Sequence, residues 1–491
     1  MSSLETLTRL VMDGLPAGDA RTAAEEQTKA AIAGLFGERY HSKSPYAKRV
    51  VLMTGDDNIS FAGLVHPDSP SSGVYGGMSL IWFPIPTDGD EPGASLLTLV
   101  CGTRGLSPDE HILGRPGHLR YLRALQRYLA TEAGLSCWVK HNPTDLSEPF
   151  PRVIQSNFQK FDAVLKRYGN HIYFSVEIPK DFDKARLALS SLLDLYAWER
   201  NWTPLKTYSA EIDQLRSGLR SSLFPRVRSE DIVSLLKQRR FVILQGPPGT
   251  GKTRMTKQIM ESAFGGHGFT IQFHPAVSYE SFVAGISPRV DGNVLNFEVK
   301  PGWLVQAIGE CNKEPFLLAI DEINRADLAR VLGESIYLLE PREIAEGTSR
   351  EVRLANKLGS GQDSIAIPPE LYILGTMNSA DRSIAIMDLA VRRRFAFVDI
   401  WPDLDVVAAQ KIDLATEAFS KLQDIFTQYA TQDSFALLPG HSYFLANSQE
   451  ELVSRMKYDL LPLLNEYLLE GRLSSCETEL RAYMDWLSGK I

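Results

Sequence analysis

The sequence predicts an α/β protein with an α+β domain in front of the α/β core and a helical domain behind it. Three observations carry this. From Phe241 to about residue 401, short apolar strands alternate with helical stretches, the pattern of a parallel sheet with helices on both faces. Beyond about residue 402 the strand signal fades and helical periodicity takes over. Before residue 200, strands and helices occur in blocks rather than in strict alternation. At 491 residues the chain has room for about three domains of ordinary size. Hydrophobic residues make up 44% of it, enough to give each domain a core, and this excludes a disordered or fibrous chain.

Residues 1–35 place Ala, Leu and Val at helical spacing. Residues 47–105 are β-rich, with apolar runs at 74–86 and 95–105 and turns expected at 55–58 and 87–93. An amphipathic helix is expected at 116–134, a strand at 173–179 and a helix near 181–199. Residues 201–240 are helical and charged, forming a linker and the start of the next module. The core at 241–401 has strands at 241–245, 269–273, 315–321 and 371–378 with helical stretches between them. Residues 402–491 form the helical domain, with helices expected at 414–430 and 451–469.

The net charge is −8, and residues 1–200 carry 21 basic against 23 acidic side chains. Phosphate contacts dominate affinity for nucleic acid, so this balance argues against a general nucleic-acid coat. Cys101, Cys137, Cys311 and Cys476 are far apart and form no CxxC pair, so neither a disulfide framework nor a cysteine zinc site is expected. The first residues lack the apolar stretch of a signal peptide, and no run of about 18 apolar residues occurs. The expectation is a cytoplasmic protein with no membrane association.

Gly246-Pro247-Pro248-Gly249-Thr250-Gly251-Lys252-Thr253 fits G-x-x-x-x-G-K-[ST], between an apolar strand and a helical stretch. Backbone N–H groups of such a loop, and the N-terminus of the helix behind it, wrap phosphate oxygens. Lys252 would reach the β- and γ-phosphates and the Thr253 hydroxyl would ligate Mg²⁺. The strand at 315–321 ends in two carboxylates. Asp321 is placed to hold Mg²⁺ through water, and Glu322 to activate a water for hydrolysis. Asn378 ends the strand at 371–378 on the same expected ligand edge, where it can orient that water, and Asn324 is a second candidate. Arg392, Arg393 and Arg394 follow in a helical register, and Arg382 precedes them. One of these is positioned to act as an arginine finger on a neighbour's γ-phosphate, the others to pair with carboxylates.

Taken together, residues 225–491 resemble the McrB-type branch of the AAA+ NTPases, the motor subunits of modification-dependent restriction systems. The resemblance rests on GPPGTGKT, QFHPAVSYESFVAG (272–285), LLAIDEINRAD, GESIYLLEPRE (333–343), GTMNSADRSIAIMDLAVRRRF (375–395) and GHSYF (440–444). Ser379 stands where many members have Thr. The resemblance implies an AAA+ P-loop NTPase core with a C-terminal helical lid, the α+β N-terminal domain lying outside it. It implies a hexameric homo-oligomer with NTP sites at subunit interfaces, Asn378 as sensor 1 and an arginine acting in trans, Arg393 first among them. It also implies Mg²⁺ and GTP or ATP as substrate, GTP being favoured in the family, and an McrC-like partner that brings the nuclease. The chain itself shows neither a guanine-reading NKxD element nor a nuclease site.

Residues 1–200 are then expected to recognise a target or a partner. Arg120, Arg123 and Arg127 form a basic stripe, with Arg104, Arg115 and His118 nearby. Trp82, Tyr121, Tyr128 and Trp138 offer stacking surfaces for a flipped base, or simply a core. The net −2 of this region makes docking to a protein the alternative to DNA. For the whole chain, the competing reading is a MoxR-like, ATP-driven remodelling chaperone, with a nucleotide-gated binding module behind it. A scaffold that does not hydrolyse is disfavoured because every motif residue is present.

Overall fold

The computed structural model describes residues 2–14, 20–41, 50–54, 59–70, 75–86, 93–291, 294–311, 314–354, 357–358, 361–380 and 388–491. Two compact units emerge, residues 1–223 with 427–429, and the remainder of 224–491. The boundary falls between the helices Ser209–Leu223 and Ser229–Arg239.

The first unit is built on six antiparallel strands: β1 (Val50–Thr54), β2 (Ser60–Leu64), β3 (Met78–Ile85), β4 (Ala94–Cys101), β5 (Cys137–Val139) and β6 (Ile172–Glu177), in the order β1-β2-β3-β4-β6-β5. Ile81, Phe83, Leu96 and Ile172 pack with Phe150, Phe158 and Phe161 in one apolar core. The helix Pro116–Ala133 buries Leu122, Leu125 and Leu129 at helical spacing. The expected turns at 55–58 and, for the most part, 87–93 lie outside the described residues.

Of the two readings of the four aromatics, three of them follow the core and Tyr128 stays half-buried. Trp82, Trp138 and Tyr121 are buried, because the strands and helix that carry them turn those positions toward the core. His118 is fully buried with its Nδ1 2.6 Å from Glu199, which Arg115 also meets at 3.4 Å. Arg120 is partly buried, and that burial pulls its guanidinium down to about 10. Arg104 and Arg127 are exposed. The stripe therefore divides between surface and interior.

A buried ion pair ties the start of this unit to its end. Arg39, 1% exposed, meets Asp194 at 2.6 Å, and Asp194 also accepts from Tyr40. Glu211 Oε2 takes a second guanidinium nitrogen of Arg39 at 3.1 Å.

The second unit holds β7 (Phe241–Gly246), β8 (Gly268–Gln272), β9 (Ala284–Asp291), β10 (Val294–Pro301), β11 (Phe316–Asp321), β12 (Glu351–Arg353), β13 (Ser364–Ala366), β14 (Leu371–Asn378) and β15 (Ala396–Asp399). Five of them form a parallel sheet in the order β15-β7-β14-β11-β8. Successive residues of β7 serve opposite faces, as strand geometry requires. Val242 and Leu244 pack with Ile232, Leu236 and Ile259, while Phe241 and Ile243 pack with Leu318, Ile320 and Ile373. Parallel register sets Asn378 beside Gly246 at the carboxyl edge, one strand away from Asp321.

The short antiparallel pair β12–β13 and two further elements depart from the expected pattern. Between β8 and β11 the chain forms an antiparallel ribbon, β9–β10, as well as helical turns. On one of its faces lie Ile286, Pro288, Val290, Leu295, Phe297 and Val299, and Ile286, Val290, Leu295 and Phe297 are 57–70% exposed. Its alternation is short and its apolar side meets the core only at its base, through Ala284 and Val299, so the usual signs of a strand are weak. The lid helix expected at 451–469 contains a π turn, Met456–Leu460, directly before Leu461-Pro462. Pro462 has no N–H for the helical ladder, and a π turn is where a helix absorbs such a gap. Among the described residues, no helix is long and apolar enough to cross a membrane.

Removing one member of a buried pair strands the other charge, which costs about 3–5 kcal/mol. Asp194→Ala is expected to destabilise the chain by about 3 kcal/mol, the low end because Glu211 stays with Arg39; urea unfolding measures it.

Candidate nucleotide site

The site starts from a chain that runs out of β7 into a turn that only glycine makes without strain. Gly249 and Gly251 have φ of +80° and +79°, and the helix Lys252–Ala263 begins at once. Pro247 and Pro248 carry no N–H, so the loop's free donors start at Gly249 and continue through Thr253, all toward the helix N-terminus. The prolines serve as acceptors instead. Pro247 O takes Lys252 Nζ at 2.8 Å and Thr250 Oγ1 at 3.1 Å.

Lys252 is 6% exposed. An ammonium has three donors, and here three acceptors within 3.0 Å use them: Gly246 O at 3.0 Å, Pro247 O at 2.8 Å and Asn378 Oδ1 at 2.8 Å. Burial pulls its pKa down to about 8, against the pull of Glu322 and Asp321 in the other direction. With Oδ1 committed to Lys252, the Asn378 amide nitrogen donates to Glu322 Oε1 at 2.5 Å. Lys252, Asn378 and Glu322 thus form one hydrogen-bonded chain across the carboxyl edge of the sheet.

Glu322 has φ +52°, ψ +46°, a left-handed conformation that an ordinary residue holds only when its surroundings impose it. Thr376 imposes it. Its hydroxyl accepts the Glu322 N–H at 3.2 Å and donates to Asp321 Oδ1. Asp321 Oδ1 also accepts from Thr253 Oγ1 at 3.1 Å. One hydroxyl and one carboxylate side by side suit Mg²⁺, which takes few protein oxygens and completes its shell with phosphates and water. Asn324 is buried in the turn after Glu322, its Nδ2 3.4 Å from Asn378 O and its Oδ1 without a partner.

The structure therefore brings together Lys252, Thr253, Asp321, Glu322, Asn324 and Asn378. It keeps the arginines apart from them. Arg392, Arg393 and Arg394 precede β15, at the amino edge of a parallel sheet whose carboxyl edge carries the site. Arg394 is buried against Glu340 at 3.0 Å. Arg393 meets the same oxygen at 3.0 Å but is 64% exposed. Arg392 is exposed, over the Phe397 ring. Arg382 lies outside the described residues.

Two contributions escaped the sequence reading. Thr376 had a signal, since it lies two residues before Asn378 on the same side of β14. The docking of residues 440–442 on the loop had none beyond family likeness. Gly440 N donates to Pro248 O and Ser442 N to Gly249 O, each at 3.0 Å. A Cβ on Gly440 would lie 2.1 Å from the Gly249 backbone.

Residues 241–395 match the family described as AAA domain (dynein-related subfamily). The chain is 28% identical over 362 residues to the type IV methyl-directed restriction enzyme EcoKMcrB subunit of Escherichia coli K12, covering 67% of this chain and 77% of that one. Residues 241–395 thus form an AAA domain, in a chain that is similar to an McrB subunit. The share aligned exceeds what residues 225–491 alone make up, so the likeness to the EcoKMcrB subunit reaches into the residues before 225. The chain is also 26% identical over 190 residues to the type II restriction enzyme BsuMI component YdiS of Bacillus subtilis 168, covering 32% of this chain and 55% of that one. Among solved structures, NtrX from Brucella abortus in complex with ADP aligns at 14% identity with a TM-score of 0.25, over 49% of this chain and 54% of that one.

Gly440→Ala forces the lid turn away from the loop. Overpacking of this kind costs about 1–3 kcal/mol. A lowered urea midpoint is expected, together with weaker nucleotide binding in a fluorescence titration.

Proposed function

We propose that the chain is the NTP-hydrolysing motor subunit of an McrBC-like restriction or antiphage system. The observation that carries the proposal is the Lys252–Asn378–Glu322 chain beside the Thr253–Asp321 pair. It puts an ammonium, an amide, a carboxylate and a hydroxyl–carboxylate pair on one edge, which supports reading them as phosphate-binding cation, water-orienting amide, base and Mg²⁺ site. Mg²⁺, when bound, would neutralise charge on the phosphates. The backbone donors from Gly249 to Thr253 bind the phosphates in this reading, and Lys252 leaves its internal acceptors for them. Asn378, released from Lys252, holds a water against Glu322, which takes its proton.

Arg393, with Arg392 as second choice, is assigned to a neighbouring subunit's γ-phosphate. Its distance from its own chain's site and its exposure support that assignment. A homo-oligomeric ring, hexameric in the family, follows from it. Residues 1–200 serve recognition, 201–240 linkage, 241–401 the core and 402–491 the lid. An McrC-like subunit supplies the nuclease, with DNA engaged directly or through it. The names of the two relatives, both restriction-enzyme components, support this choice over a remodelling chaperone.

Glu322→Gln is expected to bind nucleotide like the unaltered chain and to lose turnover by about 10²–10⁴-fold; steady-state phosphate release measures it, and an active variant removes Glu322 from the role. Steady-state hydrolysis of GTP and of ATP, each with and without DNA, tests the system assignment. GTP preference is expected, and ATP preference moves the reading to the remodelling chaperone. Affinity also depends on pH. Lys252 is an ammonium below about 8 and loses its proton above it, so nucleotide affinity falls as pH rises through about 8. Lys252→Ala binds weakly throughout and removes that dependence.

A further inference from the structure

The lid does more than cover the loop. The two backbone hydrogen bonds from Gly440 and Ser442, with no room for a side chain at Gly440, fix the residue between them, His441. Its ring is oriented by the linker that follows β15: Asp403 N donates to His441 Nδ1 at 3.3 Å. A ring nitrogen that accepts a backbone N–H carries no proton itself, so in the neutral ring the proton sits on Nε2. Neutrality fits the surroundings. Burial and nearby Arg254 lower the ring's proton affinity, while Asp403 opposes them. Nε2 faces the loop, 3.7 Å from the position a Cβ on Gly251 would take, at the N-terminus of the twelve-residue helix Lys252–Ala263.

We propose that His441 is a nucleotide-binding residue, its Nε2–H donating to a phosphate oxygen of a nucleoside di- or triphosphate held in the loop. The inference rests on the nucleotide reading above and adds a lid-borne donor to it. The phosphate chain is then held from two sides. Lys252 works from the sheet side, where Gly246 and Asn378 lie, and His441 from the lid side. A neutral donor suits this position, since backbone N–H groups and Lys252 already supply positive potential. Lid and loop become parts of one binding surface, and the lid's position depends on what the loop holds.

The test uses the full chain and a fluorescent nucleoside diphosphate with Mg²⁺. Losing one hydrogen bond to a charged group raises Kd by about tenfold, the effect expected for His441→Ala. His441→Gln keeps an N–H donor at nearly the same reach and is expected to return Kd to within about threefold of the unaltered chain. Because both variants disturb the Asp403 contact, a second measurement uses the unmutated protein. With ¹⁵N-labelled histidine, the diphosphate shifts the His441 Nε2 resonance, and an unmoved resonance overturns the proposal. Lys252→Ala separates the two levels. If it loses binding while His441→Ala binds normally, this inference alone falls. If Lys252→Ala also binds normally, the nucleotide reading falls and takes the inference with it.

Discussion

A buried ammonium must find acceptors, and the nucleotide site is organised by how Lys252 finds them. Two carbonyls come from its own loop and an amide oxygen from the end of β14. The amide then has only its nitrogen left to offer, and the nitrogen takes Glu322. One solvation requirement thus fixes the loop against the sheet, the orientation of Asn378 and the direction of the carboxylate. Ile243, Leu318 and Ile320 of the adjoining core are apolar, and the Thr250 hydroxyl, at 3.5 Å, is the more distant acceptor. The strained backbone of Glu322 belongs to the same arrangement, since Thr376 holds both that N–H and the neighbouring Asp321. Strain of about 1–3 kcal/mol at such a residue persists only where neighbours over-determine it.

Much of this was legible in the sequence because parallel strands buried on both faces are nearly continuous apolar runs. PFLLAID and LYILGTMN end in the site residues Asp321 and Asn378, and FVILQ runs straight into the phosphate loop at Gly246, so strand ends and site residues were found together. Parallel order did the rest, bringing Gly246, Asp321 and Asn378 to one edge. What stayed hidden depends on contacts between residues distant in sequence. Nothing local in GHSYF says that its glycine must touch Pro248 and Gly249. β5 is only three residues long and is recognisable mainly by its pairing with β6.

The first unit shows the opposite balance. Its strands were mostly legible, yet a stripe of arginines at helical spacing and a set of aromatics left a binding surface and a core both open, and folding divides them between the two. Spacing fixes which residues share a helix face, not how far neighbouring elements cover that face. Arg120 is partly buried and His118 lies against Glu199, so two members of the basic group are spent inside the unit. The Trp138 ring packs against Phe150, centroids 4.2 Å apart and planes tilted by 45°, rather than facing solvent.

The ribbon β9–β10 carries a different kind of constraint. Its faces are assigned by pairing alone: Val290 opposite Leu295 and Ile286 opposite Val299 on one side, Arg289 opposite Asn296 and Ser287 opposite Glu298 on the other. Strand side chains alternate with a period of two, so losing or gaining a single residue in either strand would send every later side chain of that strand to the other face. Single substitutions on either face leave that assignment intact. This stretch should therefore vary freely in residue identity between related chains while holding its length in steps of two.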